Sequence, residues 1–158
     1  WNGDWIQPGT MASSLTSDDI RKVPQLQKSF QRRRCLVIMN GYFDWKHITD
    51  TIQIPFYFRI LSSDLFGVAG LYEKVDDTYR FIPIETRANE IVEPLSATMP
   101  AILTTEVFDM WLDPLYPDME LLHELLAPVE TIEMSSYRVS LKESDRASNT
   151  KELIHPIL

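Results

Sequence analysis

The sequence predicts an α+β fold: a single compact domain over residues 1–158, built around a curved, barrel-like and mainly antiparallel sheet with peripheral helices. Three observations lead there. Short apolar runs rich in β-branched and aromatic residues recur at spacings of about ten to twenty residues, each bounded by turn formers. Strands and helices do not alternate as βαβ units, which argues against a doubly wound parallel sheet. So many short strands fit a curved sheet better than a flat one.

Taken in order, residues 1–31 are polar and turn-rich (Gly3, Pro8, Gly9, Ser13, Ser14) and read as surface loop, with one short helix from Asp18 capped by Ser17. Residues 32–158 form the core of the domain. Cys35 to Met39, Phe56 to Ile60, Phe66 to Tyr72 and Tyr79 to Ile84 read as strands, with Ser62-Ser63-Asp64 and Asp76-Asp77 as turns between them. Thr104 can cap a helix in which Val107, Phe108, Trp111 and Leu112 fall on one face before Pro114 stops it. Asp118 can cap a second, with Met119, Leu122 and Leu126 on one face and Pro128 at its end. A last strand is expected around Tyr137 to Ser140, then a polar stretch and an apolar tail.

Composition narrows the function classes. With 15 Lys+Arg against 23 Asp+Glu the formal net charge is −8, and 44% hydrophobic residues suffice for a core. No apolar run reaches the length of about 18 residues that a spanning helix needs, so no membrane association is expected. The single cysteine, Cys35, excludes an internal disulfide framework and fits a reducing, intracellular compartment. The acidic balance argues against a purely electrostatic nucleic-acid binder. The chain as given begins Trp1-Asn2-Gly3-Asp4 with no signal-peptide features, so either its start has been processed or further residues precede it.

Few residues carry candidate chemistry. Arg32-Arg33-Arg34 is the one dense basic run, and guanidinium groups there could hold phosphates; the alternative is a solvated strand flank with one arginine in a local ion pair. In Gly41-Tyr42-Phe43-Asp44-Trp45 a carboxylate lies between aromatics, where desolvation would raise its pKa and the rings could stack on unpaired bases. The alternative is a strand end with Trp45 in the core and Asp44 in water. His47, His123 and His155 lack metal-binding spacing, and His123 reads as a surface residue. Neither a metal nor a cofactor is expected, because no phosphate-cradling loop or nucleophile elbow is present.

Arg32-Arg33-Arg34-Cys35-Leu36-Val37 followed by Gly41-Tyr42-Phe43-Asp44-Trp45, then Pro55-Phe56-Tyr57-Phe58, Phe66 to Glu73, Glu85-Thr86-Arg87-Ala88-Asn89 and Met99-Pro100-Ala101-Ile102-Leu103 come in a telling order. Together they closely resemble the SRAP family, the SOS response-associated peptidase-like proteins, over roughly residues 28–155. The resemblance implies an α+β domain with a positively charged groove for single-stranded DNA. It also implies an N-terminal cysteine that captures the ring-opened aldehyde of an abasic site as a thiazolidine and is linked to autoproteolysis in some members. An Asn, the Glu of Gly-Phe-Tyr-Glu-Trp and a His before Met-Pro complete the family's site.

Carried over residue by residue, the site is largely altered. The Glu position is Asp44, the His position is Ser96, an arginine two residues further on is Thr98, and Met11 to Thr16 lacks the family's Asn, Arg and Glu. Cys35 matches a strand cysteine and cannot form a thiazolidine, which needs amine and thiol on one residue. The expectation is a SRAP-like domain inactive as crosslinker and protease in the chain as given. Its degenerate catalytic positions are Asp44 and Ser96, with single-stranded DNA bound non-covalently by Arg32, Arg33, Arg34, Tyr42, Trp45 and Thr86. Two alternatives stay open: a regulatory module that binds a protein partner through the acidic surface and the Leu115 to Leu126 region, and an active member whose cysteine lies upstream of Trp1.

Overall fold

The computed structural model describes residues 15–141 and 150–157. Nine strands and four short helices are named in chain order: β1 Leu15–Thr16, α1 Ser17–Lys22, α2 Pro24–Arg32, β2 Arg34–Met39, β3 Tyr42–His47, β4 Gln53–Ile60, β5 Phe66–Val75, β6 Thr78–Arg87, β7 Thr98–Pro100, β8 Ile102–Leu103, α3 Phe108–Leu112, α4 Met119–Glu124 and β9 Met134–Arg138. The α+β class holds, with every strand pair antiparallel except β1 on β6. The strands form two sheets and not a closed barrel. One is six-stranded in the order β1-β6-β5-β2, with β7 added to β6 and β8 to β5; the other is three-stranded, β3-β4-β9.

β5 is the central strand, and its sequence shows why. Ala69 and Leu71 point into a core shared with the helices, while Phe66 and Val68 point into a second core shared with the other sheet. A strand covered on both faces loses the apolar-polar alternation and becomes a continuous apolar run. β6 follows β5 only as far as the Gly70–Pro83 pair, then pairs with β1 and β7. Pro83 has no N–H to give a ladder, which suits the point where the strand changes partner.

The first 31 residues are not all loop. Ile20, Leu26 and Phe30 are buried in the helix-side core. α1 is capped by Thr16, one residue earlier than expected, in a reciprocal pair with Asp19. α2 begins at Pro24, which supplies the fixed φ of a first helical residue; its apolar positions are too few and its composition too polar to announce it. Residues 1–14, which hold the rest of the expected loop, lie outside the described residues, as does most of the polar stretch after Leu141.

The expected helix after Thr104 divides into a 3-10 turn over Thr105–Val107 and the short α3. Asp118 caps α4 as expected, accepting from Leu121 N–H at 3.0 Å. His123 is not a simple surface residue: its ring stacks on Phe30 at 4.2 Å and its Nδ1 is buried. The last strand starts at Met134, earlier than expected, because β4 offers it five register partners from Phe56 to Ile60.

Candidate functional site

The basic run and the Asp44 segment go to different places. Arg32 is exposed at the end of α2, and Arg33 is half-buried and donates to Ser29 Oγ at 2.8 Å. Arg34 is buried, and the contacts of its guanidinium are internal. It donates to the carbonyls of Trp111 at 2.6 Å and Gln31 at 2.8 Å, and also to those of Phe30 and Asp113. These are the last-turn carbonyls of α2 and α3, which lack helical partners. One cation therefore caps two helix C-termini, and burial lowers its pKa while Asp113 acts against that. Four of its five N–H donors are thus spent on backbone carbonyls inside a buried site, which speaks against Arg34 as a DNA contact.

Asp44 is half-buried in β3. Its Oδ1 accepts from Trp45 N–H at 2.8 Å, and Ser96 lies near enough to its carboxyl to favour the charged form. The two degenerate positions, far apart in sequence, are thus neighbours in the fold. Burial pushes the Asp44 carboxyl above the ordinary carboxylate range, and the charge of Glu85 pushes it further; the Trp45 N–H, His47 and Ser96 pull it back. Glu85 is the residue that sequence reading passed over. It is half-buried in β6 and accepts from Thr98 Oγ1 at 2.7 Å. In the resemblance it stands where the family has the first threonine of Thr-Thr-x-Ala-Asn, a substitution that could have flagged a second carboxylate.

Register fixes what else faces this pair. Arg87 is two residues beyond Glu85 on β6, hence on the same face, and its cross-strand partner is Thr98. Arg87 is exposed and makes no ion pair among the described residues. With Asn89 and Ser96 it lines a groove of about 850 Å³ whose other charged residues are Glu90, Glu93 and Glu130. Thr86 lies between Glu85 and Arg87, so it points to the opposite face and is buried; it is not available as a contact. Tyr42 is also unsuited to stacking on a base, because its ring already stacks on Phe58 at 5.0 Å and its hydroxyl is buried. Burial and the charges of Asp44 and Glu85 raise its pKa. Trp45 is half-buried beside Asp44.

Gly41 sets the entry into β3. A Cβ there would lie 2.2 Å from Tyr57 Cζ and 2.6 Å from the Phe58 carbonyl, so only glycine fits against β4. Cys35 is half-buried against Gly70, and burial pushes its thiol up to about 11, leaving almost no thiolate at neutral pH. Among the described residues, no group of three His, Cys, Asp or Glu side chains converges on a metal position. No helix among them is long and apolar enough to cross a membrane.

Two packed sheets, a carboxylate with a serine nearby at the start of β3, and a half-buried strand cysteine define a class of domain. A family model for the SOS response associated peptidase (SRAP) matches residues 3–143, and the chain belongs to that family. It is 32% identical over 143 residues to the abasic site processing protein YoqW of Bacillus subtilis, covering 87% of this chain and 64% of that protein. A Saccharomyces cerevisiae abasic site processing protein is 29% identical over 149 residues, covering 89% of this chain and 40% of that protein. The chain thus spans less than two thirds of the length of these relatives. A crystal structure of a Bacteroides thetaiotaomicron protein superposes with a TM-score of 0.80 at 27% identity, covering 92% of this chain and 66% of that one. A phage-related Bordetella bronchiseptica protein, at a TM-score of 0.67, 21% identity and coverage of 81% and 63%, shares the fold.

Proposed function

We propose that this SRAP domain serves abasic-site DNA recognition inside the cell, binding single-stranded DNA non-covalently and taking no part in crosslinking or proteolysis through its own described residues. The observation that carries the reading is the altered site: Asp44 and Ser96 stand where the family has Glu and His, and Glu85 adds a second carboxylate beside Asp44. A serine hydroxyl is a poor proton shuttle near neutrality compared with an imidazole. Cys35, half-buried and protonated at neutral pH, supplies no nucleophile. Candidate DNA contacts are Arg32 and Arg33 at the end of α2, Trp45 beside the site, and Arg87 at the groove. Few cations on an acidic chain make weak, salt-sensitive binding the expected mode.

The test uses the native full-length protein with a labelled single-stranded oligonucleotide carrying one abasic site. Fluorescence anisotropy over a salt series should show binding that weakens with salt, and a denaturing gel should show free DNA only. An adduct that survives denaturation refutes the non-covalent reading. No anisotropy change at low salt refutes DNA binding.

A further inference from the structure

A second concavity contains none of Asp44, Glu85, Ser96 and Arg87, and adjoins the Arg87 groove across Pro128, Val129 and Glu130. It is a cleft of about 730 Å³ between the start of β5 and β8 on one side and the segment joining α4 to β9 on the other. Its floor is apolar, with Phe66, Ile102, Phe108 and Leu125 facing the space. Every ionisable side chain that lines it among the described residues is a carboxylate: Glu106, Glu130 and Glu133. Leu65 on its wall is 58% exposed, and Ile132, between the two rim glutamates in sequence, is 77% exposed. A cleft of this size is in the range that encloses a ligand, and a contiguous exposed apolar patch on a folded domain marks an interaction site.

Charge selects the occupant. A nucleic acid would bring phosphates against three carboxylates. A second copy meeting this face about a two-fold axis would bring the same acidic rim against itself. The rim carboxylates do not converge as metal ligands. An apolar segment flanked by cations satisfies both floor and rim. We propose that this cleft docks a peptide segment of a protein partner, with apolar side chains on the floor and lysine or arginine at the rim. The proposal goes beyond the DNA reading and does not depend on it.

The probe is a fluorescein-labelled peptide of alternating leucine and lysine, titrated against the intact protein, with a leucine–glutamate peptide as its counterpart. Saturable binding of the first and not the second is expected. Glu106→Lys with Glu130→Lys should weaken it roughly tenfold, as like charges meet at the rim. Leu65→Asp should weaken it comparably, and Asp50→Lys in the β3–β4 turn should leave it unchanged. All four positions are solvent-exposed, so folding is retained and thermal unfolding confirms it. The proposal is overturned by equal binding of the acidic peptide, by undiminished binding in the double variant, or by an equal loss in Asp50→Lys, which would reveal general attraction to an acidic protein. Concentration-dependent self-association abolished by Leu65→Asp would assign the cleft to a second copy instead and likewise overturn it.

Discussion

Replacing Arg34 by methionine separates a DNA contact from a structural brace. The methionine keeps an unbranched apolar stem among Phe30 and Trp111, whose rings lie 6.0 and 5.7 Å from the guanidinium carbon, and removes the donors. Four backbone carbonyls, of Phe30, Gln31, Trp111 and Asp113, then lose their partner. At about 1 kcal/mol for each bond the loss is about 4 kcal/mol, offset in part by the relief of a buried charge. Against a total stability of about 5–15 kcal/mol that is a large fraction. For a domain of this size it corresponds to a fall in Tm of about 8–16 °C. Thermal unfolding followed by circular dichroism measures it, and oligonucleotide anisotropy on the same sample at low temperature should show DNA affinity almost unchanged. Arg34→Lys should recover only part of the loss, because one ammonium cannot span two helix ends. A methionine variant that melts within about 3 °C of the parent, yet binds DNA more weakly with a salt slope lower by about 1, refutes the bracing role.

Three further outcomes follow from the site. Asp44→Asn should gain stability over the parent at pH 7. Its carboxyl is raised in the fold, so the cost of its charge is absent where folded and unfolded forms are both protonated, below about pH 4, and complete above the folded pKa. The difference between the two proteins, from urea unfolding at several pH values, should therefore vanish as the pH falls; growth of the difference toward acid contradicts the assignment. Glu85→Gln removes a charge that raises Asp44, so the Asp44 titration seen by carboxyl-carbon NMR should move down, and an upward move contradicts the contact. Gly41→Ala drives a methyl into Tyr57 and the Phe58 carbonyl and should lose about 1–3 kcal/mol in urea unfolding, whereas a neutral result means that β3 enters differently.

Local chemistry made much of the fold legible. β2, β4, β5 and β6 lie where β-branched and aromatic runs placed them, and Asp118 caps α4 as its position before Met119 and Leu122 suggests. α2 was hidden because Pro24, Gln25, Gln27 and Lys28 surround only two large core residues, Leu26 and Phe30, whose burial depends on β5 and α3 arriving from far along the chain. β3 was hidden because its residues are half-buried up to the exposed His47, leaving no clean alternation to read.

The site divides along the same line. Which residues occupy positions 44 and 96, and that neither is the family's usual choice, are properties of the sequence alone, as are the scarcity of cations and the lone cysteine. Whether a side chain is free to act depends on what the fold places beside it. Three consecutive arginines are chemically identical, yet strand register and two helix ends turn Arg34 inward and leave Arg32 in solvent. Glu85 and Arg87 share a face with Thr98 only because β6 leaves β5 after Pro83 to pair with β7. The sequence thus determined the chemical inventory, and the tertiary structure decided which members of it meet, because burial and partnering depend on long-range packing that no local pattern encodes.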